Sequence, residues 1–168
     1  MQSFQQLFPP CPAEQKKKSF HIGGIMESSQ IKALIPIMNG PAQGCMVVYD
    51  DGRHCRRFCS VERYMNTMAA FMGNDNRACR KLFHRRRGTG VLLNDGTIFV
   101  QIRLARKPPT LGYVRIDAIE SFFTGDKGKC VLRLSGDEML ETEWNVETVD
   151  KHIRLVRRTL EGRELPEL

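Results

Sequence analysis

The sequence lacks the patterns by which most enzymes and membrane proteins are recognised. It contains no phosphate-binding P-loop, no Gly-x-Gly-x-x-Gly fingerprint after a strand and no Gly-x-Ser-x-Gly nucleophile motif. Its four histidines stand in no Cys/His or Ser/His motif. No apolar run is long enough to cross a bilayer, and no signal-peptide core follows the N-terminal lysines. We therefore predict a cytoplasmic, non-enzymatic protein with no catalytic residue and no cofactor.

Cysteine is present, but it forms no obvious disulfide framework or metal site. The chain has six cysteines, and an intracellular protein of this size keeps its thiols reduced. Three residues separate Cys55 from Cys59, and His54 lies beside them, which resembles zinc-ligand spacing only loosely. No second Cys/His cluster completes four ligands. We predict no metal and interpret these thiols as strand-end residues.

Acidic residues are almost missing from one stretch of the chain. Residues 77–107 contain nine Lys or Arg and a single acid, Asp95, so their local charge is +8 in a chain whose net charge is +7. The charge is densest at Arg85, Arg86 and Arg87. Clustered positive charge with a pI near 9.3 favours a polyanionic partner, with nucleic acid first among the candidates. The alternative is a basic surface that is only solvated.

The hydrophobic pattern predicts a β-rich α+β fold in a single domain over residues 30–162. Strands at 31–37, 45–50 and 53–59 would form an N-terminal meander. Pro36 cannot donate a backbone hydrogen bond, so the first strand is expected at a sheet edge or to end there. A helix begins after the N-cap Ser60, and Gly73 follows its end. Its methionine stripe is assigned to the core rather than to a partner groove. A second short helical piece is expected at 77–83.

The second half of the chain is predicted to contain a central hairpin, a strand pair and a terminal helix. Residues 94–96 (Asn-Asp-Gly) are typical of a tight turn between two apolar strands within 91–100. A strand follows at 113–116, residues 119–123 fit a strand or a helical turn, and strands at 129–134 and 139–144 form the pair. Asn145 caps a helix over 146–161, whose apolar seam is Val149, Ile153, Val156 and Leu160. Residues 1–29 are predicted to be a disordered tail, with Met26 as an alternative start, and 163–168 a short polar tail.

Several local patterns follow one another in an order that resembles a known family. Residues 33–36 (Ala-Leu-Ile-Pro) precede the Cys45 strand, and Arg80-Lys81 follows the internal helix. A basic segment then precedes the apolar run 91–93 and the strand 97–100, and Lys107-Pro108 precedes the strand from Tyr113. This series, over residues 33–153, resembles the ComK family of competence transcription factors.

The chain also departs from the pattern of that family. Arg86-Arg87-Gly88-Thr89-Gly90 stands where the family usually has Pro-Pro-Ile, and Gln101-Ile102-Arg103 replaces a Phe-Pro-Thr sequence. Gly112-Tyr113 stands where the family has a cysteine followed by an aromatic residue. The sequence therefore favours a diverged member, or a paralogue with altered DNA preference or regulation.

The resemblance implies a transcriptional activator of genes for DNA uptake. It would bind A/T-rich promoter DNA, largely through the minor groove, as dimers that pair into a larger homo-oligomer, and it would be associated with the nucleoid. A proteolytic adaptor is a further implied partner, although the C-terminal extension that is associated with its capture does not follow Leu168. The alternative is a non-enzymatic polyanion- or protein-binding module with this fold and no sequence-specific DNA readout.

The residue chemistry supplies candidates for the DNA contacts. Arginines on loops can enter a narrow A/T-rich minor groove, and Lys or Arg contacts to phosphates add affinity without reading sequence. We assign groove entry to Arg85, Arg86 and Arg87. Phosphate contact is assigned to Arg80, Lys81, Arg103, Arg106 and Lys107.

Overall fold

The structure is a computed structural model, and it describes residues 30–39, 41–73 and 90–161. Within these residues the chain forms two antiparallel sheets and two α-helices, one of them near the C-terminus. This is the β-rich α+β fold predicted from the sequence. The expected tails at 1–29 and 163–168 and the helical piece at 77–83 lie outside the described residues.

Six strands form the larger sheet, in the order β3-β2-β1-β6-β5-β4. The strands are β1 (Ile31–Asn39), β2 (Ala42–Tyr49), β3 (His54–Arg57), β4 (Gly90–Leu92), β5 (Ile98–Arg103) and β6 (Leu111–Arg115). All neighbours are antiparallel. The predicted meander (β1 to β3) and the predicted hairpin (β4 and β5) therefore belong to one sheet, because β6 joins β5 to β1.

The prediction that Pro36 places β1 at a sheet edge, or ends it there, is wrong. β1 continues to Asn39 and lies in the interior of the sheet, between β2 and β6. Its pairing with β6 involves only Ala33 and Leu34. Pro36 pairs with Cys45 of β2 and lies beyond the part of β1 that is paired with β6. The proline is tolerated in an interior strand because β6 stops pairing before reaching it.

The first helix, α1 (Val61–Phe71), has the caps that its sequence predicts. The Ser60 hydroxyl accepts a hydrogen bond from the backbone N–H of Arg63 at 3.2 Å, and Gly73 adopts a φ of +71° just past the end. Met65 and Met68 are buried, which confirms the assignment of the methionine stripe to the core. Phe71 belongs to the same predicted stripe, but its side chain is half exposed.

A second sheet has three strands rather than the predicted pair. Its order is β7-β8-β9, formed by β7 (Ile119–Thr124), β8 (Cys130–Leu134) and β9 (Glu138–Glu141). Residues 119–123, for which the sequence allowed two interpretations, are therefore a strand. The last helix, α2 (Val146–Glu161), is capped as predicted, because the Asn145 side-chain oxygen accepts from the N–H of Thr148 at 2.9 Å.

Both faces of the larger sheet are covered. On one face, Phe99, Tyr113 and Val47 pack with the buried side of α1. On the other, a second cluster joins Val100 and Ile102 of β5 to the second sheet and to α2. β5 is therefore buried on both of its faces. A strand buried on both faces has an almost continuous run of hydrophobic residues, and the sequence of β5 fits this pattern. The result is a layered core around one sheet.

Among residues 30–39, 41–73 and 90–161, no helix combines the length and the apolar character needed to span a bilayer.

Candidate nucleic-acid interface

The two ends of the six-stranded sheet differ in charge. The strand registers place the β1–β2 turn, the exit of β3, the β5–β6 loop and the start of β4 at one end. The described residues of these connections include five cations and no acidic residue. The cations are Arg56, Arg57, Arg103, Arg106 and Lys107. We call this set the basic end; it comprises residues 38–39, 41–43, 56–60, 103–111 and Gly90.

The opposite end carries most of the acidic residues of the sheet connections. It comprises residues 50–53, 93–97 and 115–118, which are the β2–β3 turn, the β4–β5 turn and the exit of β6. We call it the acidic end; its acids are Asp50, Asp51, Asp95 and Asp117. These carboxylates form ion pairs or hydrogen bonds with other residues of the fold. Asp51 pairs with Arg53 at 2.5 Å, and Asp95 accepts the N–H of Thr97 at 2.9 Å within its turn.

Arg115 is the central cation of the acidic end. Its guanidinium is buried and donates to both carboxylate oxygens of Asp50, at 2.9 and 3.0 Å, and to Asp117 at 2.5 Å. These contacts raise the pKa of Arg115 above its ordinary value, even though burial alone would lower it. The guanidinium also donates to the Ile31 carbonyl oxygen at 3.4 Å, so its contacts join the end of β6, the start of β1 and the β2–β3 turn. Arg115 therefore serves the fold and is not available to a partner.

Lys32 joins the two sheets near the same end. It is only 1% exposed, and its ammonium lies 2.8 Å from the Ser135 carbonyl oxygen and 3.0 Å from Glu138. The other oxygen of Glu138 lies 2.5 Å from Nε2 of His54 on β3. A buried lysine is tolerated when it has a carboxylate and a carbonyl as partners. This contact fixes the β8–β9 turn against the larger sheet.

The β5–β6 loop presents the cations of the basic end. It is closed by two hydrogen bonds to the Thr110 carbonyl oxygen, from the N–H of Leu104 at 2.8 Å and of Ala105 at 3.1 Å. Arg103, Arg106 and Lys107 are all exposed. Gly112 follows the loop because a Cβ there would stand 2.4 Å from the Leu34 carbonyl oxygen. The close approach of β1 and β6 thus explains why a residue without a side chain stands at this position.

The carboxylates next to this loop already have a cation. The N–H of Glu143 donates to the Arg103 carbonyl oxygen at 2.8 Å, which brings Glu143 close to the loop. Its carboxylate lies 2.9 Å from the ammonium of Lys129, which also contacts Glu141 at 3.4 Å. The hydrogen bond to Glu143 is the first reason that the pKa of Lys129 is raised. Glu143 therefore leaves the positive charge of the loop largely uncompensated.

Both helices begin near the basic end. α1 follows the exit of β3 by way of Ser60, and α2 begins shortly after Glu143, which is bonded to Arg103. A helix N-terminus carries a partial positive charge, which is offset here in part by Glu62 and Glu147 in the first turns. The helix dipoles therefore add partial positive charge at the basic end, where the Arg and Lys side chains are also positive.

The predicted site residues fall into two groups. Arg103, Arg106 and Lys107 lie together at the basic end, and no described carboxylate is within ion-pair distance of them. Five others lie outside the described residues: Arg80, Lys81, Arg85, Arg86 and Arg87. Their segment ends at Gly90, which pairs with Val100 and so belongs to the basic end. Arg87 precedes Gly90 by three residues and Arg85 by five.

Sequence reasoning missed the basic residues at the end of β3. Arg56 and Arg57 were predicted to be on a strand but were not assigned to a site. They reach the basic end because β3 runs parallel in space to β1 and β5, which follows from the sheet order β3-β2-β1-β6-β5. The only available signal was their position just before the end of a strand. That position indicates a site only when the pairing of β1 with β6 is known, because this pairing puts the end of β3 at the same end of the sheet as the β5–β6 loop.

The cysteines near this end are part of the core. Cys45 and Cys55 are buried, and Cys59 packs against the same cluster. Burial raises the pKa of the Cys45 thiol to about 12, so that it is neutral at physiological pH. Among the residues that the structure describes, no three His, Cys, Asp or Glu side chains are grouped so that they could hold a metal ion.

No family model, curated protein or solved structure matches this chain. The resemblance to the ComK family therefore depends on the residue patterns given above.

Proposed function

We propose that this chain is a sequence-selective DNA-binding transcriptional regulator, similar in role to the ComK activators of DNA-uptake genes, and that its basic end contacts the DNA. One observation carries the proposal: exposed Arg and Lys side chains gather at one end of the sheet, in connections whose described residues include no acid. Carboxylates at the opposite end are bound to cations of the fold. A positive surface of this kind fits a polyanionic partner.

The size of the basic end favours an extended polymer over a small anion. Arg56 on β3 and Arg103 on β5 are four strands apart in the sheet. Adjacent strands are about 4.8 Å apart, so the two backbones are separated by roughly 19 Å. Duplex DNA carries one negative charge per about 1.7 Å of its axis, so that distance corresponds to about eleven phosphate charges. Several cations could thus bind phosphates of one duplex together.

Sequence preference would come from the arginines that precede β4. Arg85, Arg86 and Arg87 precede Gly90 of the basic end by five, four and three residues in the sequence, and we include them in the proposed interface on that basis. Arginine inserted into a narrow minor groove favours A/T-rich DNA, where the negative potential is greatest. We assign phosphate contacts to Arg103, Arg106 and Lys107, together with Arg56. Arg80 and Lys81 belong to the same proposal on the basis of sequence.

The resemblance to the ComK family supports the finer parts of this proposal. These are activation of competence genes, assembly from homodimers, location at the nucleoid in the cytoplasm and removal through a proteolytic adaptor. None of them depends on a described contact. DNA binding by the basic end can be tested without them.

A salt titration on two duplexes tests the proposal. The full chain would be bound to labelled duplexes of equal length, one with A/T tracts and one rich in G/C, between about 50 and 200 mM salt, the range in which phosphate contacts weaken steeply. We expect a preference for the A/T duplex that persists near the upper limit. Equal affinities that fall together with salt would identify a general polyanion-binding surface and would contradict sequence-selective regulation.

A further inference from the structure

The basic end also exposes large apolar side chains. Three residues at this end are exposed although they are hydrophobic: Met38 by 51%, Phe58 by 71% and Leu111 by 38%. Met38 and Leu111 lie near the ends of β1 and β6, and Phe58 directly follows β3. These apolar side chains lie among the exposed cations Arg56, Arg103, Arg106 and Lys107, and they remain in contact with water in the described fold, which is unfavourable for apolar surface.

Phe58 is the most exposed large hydrophobic side chain that the structure describes. It follows Arg56 and Arg57 and precedes the Ser60 cap of α1. Cys59, directly after Phe58, packs against the core, and Arg57, directly before it, pairs with Cys45 of β2, so the chain is held on both sides of Phe58. A ring held on a short connection between a strand and a helix is more rigidly placed than one on a long loop.

We propose that Phe58 is a wedge that enters the minor groove of the bound duplex, separates two stacked base pairs and bends the DNA. The inference depends on the proposed function, since it assigns a second task to the same surface. Minor-groove proteins use Phe, Leu, Ile or Met in this way, and the duplex bends by 20 to 90° when a step is partly unstacked. The exposed side chain of Arg56, two residues before the ring, supplies positive charge that can hold a phosphate next to the inserted side chain.

Charge complementarity selects DNA over an apolar protein partner for this side chain. A protein-docking surface is depleted of charge at its centre, whereas Phe58 lies at the same end of the sheet as the exposed cations Arg56, Arg103 and Arg106. Single exposed hydrophobic residues are common on protein surfaces and need no partner. Phe71 is such a residue, half exposed at the far end of α1, next to the turn that contains Asn94. It provides a matched comparison for Phe58.

The test compares Phe58→Ala with Phe71→Ala in the full chain. Binding to an A/T-tract duplex labelled at both ends with a donor and an acceptor dye would report affinity and bending together. We expect the wild-type chain and Phe71→Ala to shorten the distance between the ends of the duplex to the same extent. Phe58→Ala should bind three- to tenfold more weakly and lose at least half of the change in transfer efficiency. Phe58→Leu should retain bending, because leucine also acts as a wedge.

The salt dependence separates the wedge from the phosphate contacts. Phe58→Ala removes no charge, so the slope of log affinity against log salt should stay at the wild-type value, whereas each lost phosphate contact changes it by about 0.9. Undiminished bending by Phe58→Ala would overturn the wedge and leave the proposed function in place. A change of oligomeric state with undiminished bending would assign the ring to a protein contact instead. Failure of the wild-type chain to bind either duplex would overturn the wedge and the proposed function together.

Discussion

The basic and acidic ends of the larger sheet use charge in opposite ways. At the acidic end, Arg115 is buried against Asp50 and Asp117, and nearby Lys32 is buried against Glu138. At the basic end, Arg103, Arg106 and Lys107 are exposed and have no described carboxylate within ion-pair distance. The same residue types therefore hold the fold together at one end and remain available to a partner at the other.

This difference shows why total charge says little about where a partner binds. The chain has a net charge of +7, but a cation such as Arg115 already has its counter-ions within the fold. Arg115 contributes to stability, because replacing it would leave the Asp50 and Asp117 carboxylates without their hydrogen-bond donor. An exposed loop cation contributes little to stability and can contribute to binding. Mutations at the two ends should separate these two properties.

The largest effect is expected at Arg115. Arg115→Met removes the hydrogen bonds to Asp50 and Asp117 and should reduce the free energy of unfolding by about 2 to 4 kcal/mol. The value lies below the upper range for buried pairs because both carboxylates are partly exposed and regain water. Urea unfolding followed by circular dichroism measures the change. Arg103→Met, at the basic end, should change the free energy by less than about 0.5 kcal/mol. Equal losses in both variants would abolish the distinction between the ends.

A smaller effect, on binding alone, is expected from the arginines before β4. Changing Arg85, Arg86 and Arg87 together to alanine should weaken binding to an A/T-rich duplex at least tenfold at moderate salt, which is about 1.4 kcal/mol. The thermal transition should be unchanged. Fluorescence anisotropy and differential scanning calorimetry on the same preparation test both parts. Unchanged affinity with an unchanged transition would remove this segment from the interface.

The smallest effect concerns pH. His152 stacks on Trp144 at a centroid distance of 4.4 Å, and burial lowers its pKa below the ordinary value, with a smaller contribution from Lys151. The unfolded chain therefore binds a proton at this site more readily than the folded chain. The stabilisation that the neutral imidazole contributes is complete above about pH 7 and is lost as the pH drops below the ordinary value of about 6.5; because the ring is partly exposed, we expect the loss to be less than about 1 kcal/mol in total.

Urea unfolding between pH 8 and pH 5.5 measures this loss. His152→Gln, which cannot gain a proton, should have a flatter profile over that interval, while Phe71→Ala should keep the wild-type profile. A wild-type profile that is flat between pH 7 and 5.5 would contradict the assignment to His152. The charged pairs of Arg115 should not contribute, since arginine stays protonated in this range.

Local sequence chemistry predicted the elements well but not their arrangement. Ser60, Asn145 and the Asn94-Asp95-Gly96 turn each act within a few residues, so that a cap or a turn can be recognised from neighbours alone. The pairing of β1 with β6 joins residues about eighty positions apart, such as Leu34 and Tyr113. No local pattern encodes this pairing, and the presence of Pro36 pointed the other way.

The candidate site follows the same division. Arg103, Arg106 and Lys107 were found because they are close together in sequence. Arg56, Arg57 and Phe58 join them only through the sheet order, which carries the end of β3 to the same side as the β5–β6 loop. Conversely, Arg115 looked like one more strand cation, and only its burial against Asp50 shows that it serves the fold.

The most direct test of this division is the salt dependence of DNA binding by two variants with equal charge. One is Arg103→Ala/Arg106→Ala/Lys107→Ala at the basic end. The other is Lys151→Ala/Arg157→Ala/Arg158→Ala on the exposed side of α2. If the basic end binds DNA, the first should weaken binding at least tenfold and make the slope of log affinity against log salt shallower by about 2 to 3, whereas the second should keep the wild-type slope. Equal slopes for the two variants would contradict a dedicated DNA-binding end.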